Sequence, residues 1–113
     1  MRFGRKNKFK AIAVIVDGIR FASKKEAARY GALKLLEKAG EITSLEIHPR
    51  HKIAINGKKI CTYVGDFRYI DLTLGGDERW EDVKGYRRGP AYNLFKLKQA
   101  LMLAIDDIEV VEL

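Results

Sequence analysis

Cysteine is almost missing from this 113-residue sequence. Cys61 stands alone, so no disulfide forms within the chain, which fits a reducing compartment. Proline occurs only at Pro49 and Pro90, and there is no low-complexity tract, repeat or linker. Long apolar runs are lacking too: none approaches the ~18 residues that span a bilayer. The basic N-terminus is not followed by an apolar segment and cleavage site. These absences lead to the expectation of a cytoplasmic protein without a membrane partner. Acid is scarce in two places. Residues 1–10 carry Arg2, Arg5, Lys6, Lys8 and Lys10 with no acid, and the chain from Lys84 to Ile105 carries Lys84, Arg87, Arg88, Lys96 and Lys98, again with none.

What is present is ordinary for a globular protein: 47% hydrophobic and 33% charged residues, enough for one core in one domain spanning 1–113. The net charge of +7 sits in the acid-free blocks. Single-sign blocks favour a polyanion, nucleic acid above all, against the plainer alternative of a solvated basic surface. Neither block is an amphipathic basic helix with bulky anchors, which argues against a membrane surface.

Local signals divide the chain. Residues 1–9 read as a loose basic arm. Lys10–Val16, the Asp17-Gly18 turn and Ile19–Phe21 predict a hairpin. Ser23 and Glu26 form a capping box for a helix that stops at Gly40, with Ala27, Ala28, Gly31, Leu35 and Leu36 as its packing face and Glu26, Tyr30, Leu33 and Glu37 on a neighbouring stripe. Ile42–Ile47 leads to His48-Pro49, and His51–Ile55 and Lys58–Tyr63 flank an Asn56-Gly57 turn. The same strand is read on through Val64–Ile70, with Gly65 marking a bulge or close approach beside Asp66. A third hairpin turns through Thr73–Glu78 into a Trp80–Lys84 strand. Gly85–Pro90 is a basic loop, Ala91–Ala104 a helix with Leu94, Leu97, Leu101 and Ala104 in phase, and Ile108–Leu113 a last strand. The order implies an α/β (α+β) fold, a mixed sheet with helices on its two sides.

Three acids and a lysine stand out by position. Glu26 lies in the first turn of a helix and Asp66 beside a strand glycine. Asp82 and Lys84 are two apart on a strand and share a face with Trp80, while Glu81 and Val83 point the other way. Should Glu26, Asp66 and Asp82 converge at one sheet edge, they and the Val83 carbonyl would supply hard oxygen ligands for Mg²⁺ or Mn²⁺. Such an ion neutralises charge on a scissile phosphate and acidifies a water, which Lys84 would orient. The basic blocks would hold the phosphate backbone. Each residue also has a plainer use: Glu26 as a cap, Asp66 as a bulge acid, Asp82 and Lys84 as an ion-pair edge. His48, His51 and the distant Cys61 lack zinc spacing, so the histidines are expected at the surface and Cys61 as a small hydrophobe. Tyr86 and Tyr92 flank Arg87 and Arg88, a pattern that suits base stacking and packing alike.

Phe21-Ala22-Ser23-Lys24-Lys25-Glu26, Tyr63-Val64-Gly65-Asp66-Phe67 and Asp82-Val83-Lys84-Gly85, in that order, resemble the PD-(D/E)xK nuclease superfamily with its restriction-endonuclease-like fold. More narrowly they are similar to a phage-associated group of small proteins. The resemblance covers about Val16 to Leu113. It implies an αβββαβ-type core after a hairpin, and a metal-dependent phosphodiesterase site at Glu26, Asp66, Asp82 and Lys84. It also implies that Lys98, in Phe95-Lys96-Leu97-Lys98, contacts phosphate. Gly65 replaces the proline of the superfamily's name, and His48 stands in Leu45-Glu46-Ile47-His48 where related nucleases often carry glutamine. The expectation is a small Mg²⁺- or Mn²⁺-dependent endonuclease acting on DNA. Its compactness suits recognition of branched or flapped shapes, as a homodimer with two active sites, in phage DNA metabolism within a host cytoplasm. Arg5, Lys6, Lys8, Arg87, Arg88, Lys96 and Lys98 would grip the nucleic acid. The alternatives are a nucleic-acid-binding module of the same fold that has lost turnover, and a basic assembly protein in which the acids never meet.

Overall fold

A computed structural model describes residues 13–113. The expected arm, with Arg5, Lys6 and Lys8, and the start of the Lys10–Val16 run lie outside the described residues. Strands β1 (Val14–Val16) and β2 (Ile19–Phe21) pair antiparallel around Asp17-Gly18, both at positive φ. Helix α1 (Lys24–Lys38) begins as its sequence dictates: the Ser23 hydroxyl accepts from the Glu26 N–H at 3.1 Å. It ends before Gly40, whose φ of +79° relieves the left-handed exit that a side chain resists.

Four strands form the central sheet in the order β3 (Ile42–Ile47), β6 (Phe67–Asp71), β7 (Asp77–Asp82), β8 (Val110–Glu112). The first three run antiparallel to their neighbours, and β8 joins β7 in parallel. A separate hairpin, β4 (Arg50–Ile55) and β5 (Lys58–Val64), grows out between β3 and β6 around Asn56-Gly57. Helix α2 (Pro90–Asp106) makes the crossover that parallel pairing requires, with Pro90 at its first turn. With the β4–β5 hairpin set aside, the chain runs helix, three strands, helix, strand after an opening hairpin, a mixed α+β architecture. Among the described residues no helix is long and apolar enough to cross a membrane.

Hydrophobic cores lie on both sides of the sheet. Phe67, Tyr69 and Val83 pack with Phe21, Tyr30 and Leu33 on the α1 side. Trp80, Tyr63 and Ile53 pack with Phe95 and Met102 on the α2 side. The strand alternation expected around residue 82 is thus realised: Trp80 serves one core and Val83 the other.

Several expectations shift. The buried stripe of α1 is Glu26, Tyr30 and Leu33, whereas Ala28 and Gly31 are exposed and Leu35 is 69% exposed. Tyr30 carries the larger apolar surface and keeps its hydroxyl bonded to Asp17 at 2.8 Å, so its polarity does not keep it outside. In α2 the buried residues are Phe95 and Met102, while Leu94 and Leu97 are half-exposed. Lys98 lies on the inward stripe between them, its stem packed and its amine donating to the Thr62 carbonyl at 3.1 Å. That lysine disguised the phase of the helix. The single long strand read through Val64–Ile70 is broken at Gly65-Asp66, where the chain passes from the hairpin to the central sheet. Strand β7 starts at Asp77 and ends at Asp82, earlier than the expected Trp80–Lys84, because Arg68 on β6 binds Glu78 across the pair and makes that charged stretch a stable partner.

Glu81 is 2% exposed on the α1 face. Arg29 meets it with two hydrogen bonds of 2.8 and 2.6 Å, and the Tyr69 hydroxyl donates at 2.5 Å. This triad locks α1 to the centre of the sheet. Arg29→Ala leaves a buried carboxylate without its cation, so urea unfolding of this variant is expected to show a loss of about 2–3 kcal/mol, larger than for the exposed Lys34→Ala.

Candidate metal centre

Two chain crossings build the site. Strand β3 ends at Ile47 and is followed by His48, whose backbone sits in the left-handed region at φ +53° immediately before the fully buried Pro49. Its N–H donates to the Asp66 carbonyl at 3.0 Å, and the Gly65 N–H donates to the Pro49 carbonyl at 2.9 Å. The Asp66 N–H in turn donates to the Glu81 carbonyl at 3.0 Å. Asp66 is therefore tied to β3 on one side and β7 on the other. Gly65 suits the close approach there, since a Cβ would stand 3.3 Å from the Trp80 and Tyr63 rings and press on them.

The side chains converge above this crossing. One ligand atom each from Glu26, His48 and Asp66 lies within 4.8 Å of the other two. Glu26 arrives from the first turn of α1, placed there by the Ser23 cap. Its side chain is among the buried charged groups, yet it makes no ion pair or side-chain hydrogen bond among the described residues. Asp66 accepts the Val83 N–H at 2.6 Å. Burial is the main force on its acidity, and the neighbouring Asp82 and Glu26 charges add to it. The Val83 N–H and Lys84 oppose the shift, and the balance pushes Asp66 up to about 7.

Asp82 and Lys84 form a second unit beside the first. Asp82 Oδ1 accepts from Lys84 Nζ at 2.8 Å, and Oδ2 accepts from the Tyr63 hydroxyl at 2.5 Å. Lys84 Nζ also lies 4.0 Å from the centre of the Phe95 ring, a cation–π contact that holds the ammonium in place. Burial and the Asp82 carboxylate hold the Tyr63 hydroxyl protonated, well above its ordinary range. Lys25 fixes the backbone below by donating to the Lys84 carbonyl at 2.9 Å.

The expected convergence of Glu26 and Asp66 is present. Asp82 and Val83 stand next to that group: Asp82 is not one of the three and turns both oxygens to Tyr63 and Lys84, while the Val83 N–H donates to Asp66. His48, expected as a surface residue, is exposed and also reaches the acids, brought there by a left-handed backbone that no local signal in the sequence announced. Tyr63, which anchors Asp82, stood in the quoted motif without an assigned role, and Phe95 likewise. Of the basic residues, Lys98 is occupied by Thr62, Lys96 pairs with Glu112 at 3.2 Å, and Arg87 pairs with Glu112 at 3.2 Å and with the Leu113 carbonyl at 2.9 Å. Arg88 is exposed, 5.7 Å from the ring of the exposed Tyr86. Tyr92 is half-buried against Phe95 and bonded to Glu112 at 2.6 Å, so packing accounts for it. His51 binds Asp106 at 2.7 Å, and Cys61 packs against the α2-side core as a small hydrophobe.

A family model described as "Protein of unknown function (DUF1064)" matches residues 6–104. The chain belongs to this family. Glu26, His48, Asp66, Asp82 and Lys84 all fall within the matched span. Comparisons with curated proteins and with solved structures give no match.

The raised pKa of Asp66 fixes a sign. Its folded value lies above the unfolded carboxylate value of 3.8, so the folded state holds the extra proton between the two. Its contribution is fully present at low pH and is lost as pH rises towards about 7. In metal-free protein, the melting temperature of wild type relative to Asp66→Asn is expected to fall between pH 5 and pH 8. A difference independent of pH would contradict the buried, crowded carboxyl described above.

Proposed function

We propose that this protein is a metal-dependent endonuclease that hydrolyses phosphodiester bonds in DNA, built on the restriction-endonuclease-like plan. The observation that carries this reading is the meeting of Glu26, His48 and Asp66 within 4.8 Å of one another, beside a lysine held at 2.8 Å by Asp82. The order of the elements supports it as well, since the acids occupy the helix and strand positions at which the resembled superfamily places its site.

The donor set fits a divalent cation. Two carboxylates and an imidazole face one point, and the nine-tenths buried Glu26 has no cation of the protein to balance it among the described residues. A bound divalent ion supplies charge neutralisation at a scissile phosphate and greater acidity for a water. The chain's residues divide the remaining work. Glu26, His48 and Asp66 hold the ion, and the Val83 N–H keeps the Asp66 carboxylate oriented. The Lys84 ammonium, poised by Asp82 and the Phe95 ring, donates to a phosphoryl oxygen as negative charge builds there. Tyr63 keeps Asp82 from turning away. The exposed Tyr86 and Arg88 sit in the loop that leaves Lys84, where a stacked base or phosphate of a bound strand would meet them. Magnesium and manganese both remain within this reading, as does a homodimer on a branched substrate.

One observation favours a second reading, a DNA-binding module without turnover. Both oxygens of Asp82 are already engaged, by Lys84 and Tyr63, whereas the resembled superfamily uses this acid on its metal. Labelled linear, flapped and four-way-junction DNAs, incubated with Mg²⁺, Mn²⁺ or EDTA, separate the two. Cutting is expected only with metal, and Lys84→Ala should slow it by roughly 10²–10³-fold while leaving DNA binding in EDTA nearly unchanged. Binding without cutting under every metal condition would establish the module and end the nuclease reading.

A further inference from the structure

We propose that His48 is itself a metal ligand and that it makes the Glu26–His48–Asp66 group a site for manganese in preference to magnesium. The inference rests on the reading of this group as a metal site, though not on DNA cleavage.

His48 is placed at a cost. Non-glycine residues avoid positive φ, and the residue before a proline is further restricted to extended backbone. His48 violates both preferences with φ +53° ahead of Pro49. The bonds from its N–H to the Asp66 carbonyl and from Gly65 to Pro49 hold it there. A strained backbone maintained by its surroundings, at the mouth of a carboxylate pair, is the kind of outlier that marks a working residue. Its effect is to bring an imidazole within 4.8 Å of Glu26 and Asp66. Ligands on opposite sides of an ion, each at about 2.1 Å, stand roughly 4.2 Å apart. Small side-chain rotations therefore suffice to close this group on one ion.

A second observation points the same way. Glu26 is 9% exposed and has no hydrogen-bonded or ion-paired partner for its carboxylate among the described residues. The buried Glu81 behaves differently and is met by Arg29 and Tyr69. A carboxylate on a residue nine-tenths buried, without a hydrogen-bonded or ion-paired partner among the described residues and close to another acid and an imidazole, is suited to a cation.

The imidazole decides which cation. Magnesium takes hard oxygen ligands and gives up its waters reluctantly, so an imidazole adds little to its binding. First-row transition ions accept imidazole readily. Manganese combines that tolerance with a preference for octahedral, oxygen-rich surroundings, which two carboxylates and several waters supply. With glutamine or a carboxylate at position 48 the same site would be all oxygen, and its preference for manganese would be weaker.

The decisive experiment uses the full chain, free of any histidine tag and stripped with EDTA. Isothermal titration with Mn²⁺ and with Mg²⁺ is combined with electron spin echo spectroscopy of the Mn²⁺-loaded protein. The expected result is one Mn²⁺ bound at least about tenfold more tightly than Mg²⁺, with nitrogen modulation from a directly bound imidazole. His48→Ala should remove the modulation and weaken Mn²⁺ binding by about 10–100-fold, while Mg²⁺ binding changes by less than threefold. His51→Ala, the only other histidine substitution possible, should keep the modulation. Circular dichroism of each variant guards against a folding defect. Manganese bound without nitrogen modulation, or an equal loss of both ions in His48→Ala, would overturn this assignment and leave the nuclease reading standing. Nitrogen modulation in a protein that cuts no DNA would uphold the assignment and remove the nuclease. Absence of binding by either ion would overturn both.

Discussion

The arrangement depends most on the hydrogen bonds around one crossing, where His48 and Pro49 leave the central sheet and Gly65 and Asp66 return to it. His48 donates to Asp66, Gly65 to Pro49, and Asp66 to Glu81. These bonds let a separate hairpin grow out of the sheet while the pairing of β3, β6 and β7 continues beneath it. They also fix the side chains of His48 and Asp66 at the point where β7 ends. Pro49 and Gly65 are adapted to this crossing, one fully buried and the other so near the Trp80 and Tyr63 rings that a Cβ would crowd them. The candidate site thus stands on backbone hydrogen bonds inside a packed region, which gives it the rigidity that a constellation of charged groups requires.

Around that crossing the acids are sorted by their partners. Glu81 faces α1 and is satisfied by Arg29 and Tyr69, and Asp82 faces α2 and is satisfied by Lys84 and Tyr63. Each has one cation and one tyrosine hydroxyl, the combination that makes burial of a carboxylate tolerable. Alternation along β7 sends these adjacent residues into opposite cores, so the two units brace both helices against the same strand. Asp66 and Glu26 are the exceptions. Asp66 has only the Val83 N–H as a hydrogen-bond donor, and burial together with the neighbouring Asp82 and Glu26 charges makes it a weaker acid than usual. The contrast identifies the pair that, among the described residues, has no directly bonded counter-charge.

Much of the frame was legible from local rules. Asp17-Gly18 and Asn56-Gly57 set two hairpins, Ser23 set the start of α1, and Gly40 and Pro90 marked where the helices end and begin. Each is a feature whose physics is complete within a few residues. The phases of the two helices were not legible in this way. Tyr30 and Lys98 are polar by name yet bury most of their length, and exposed leucines took their places in the pattern. The break at Gly65-Asp66 escaped because it is made by pairing with His48 and Pro49, far away in sequence. For the site, Glu26, Asp66, Asp82 and Lys84 could be singled out from their positions on elements. The contribution of His48 could not, since it arises from a left-handed backbone that nothing in an isolated His-Pro dipeptide foretells.

The charge distribution ties this local picture to the proposed chemistry. An acid-rich centre repels a polyanion, so a nucleic acid would approach it only if the surroundings were basic and the centre carried a cation. Lys96 and Arg87, counted in the basic block, spend their charge on Glu112 in the folded chain, and Lys98 spends its hydrogen bond on Thr62. Net charge read from sequence therefore overstates the positive surface that α2 offers. What that block leaves for a phosphate backbone is chiefly Arg88 beside Tyr86, since Lys84 is itself paired with Asp82. That share of the basic surface is small beside the Glu26 and Asp66 carboxylates, and screening at physiological salt weakens it further. In the proposed enzyme a metal held there would do part of the binding as well as the chemistry. Affinity for DNA would rise when the site is loaded, coupling the positive charge at Glu26, His48 and Asp66 to the capture of the substrate it acts on.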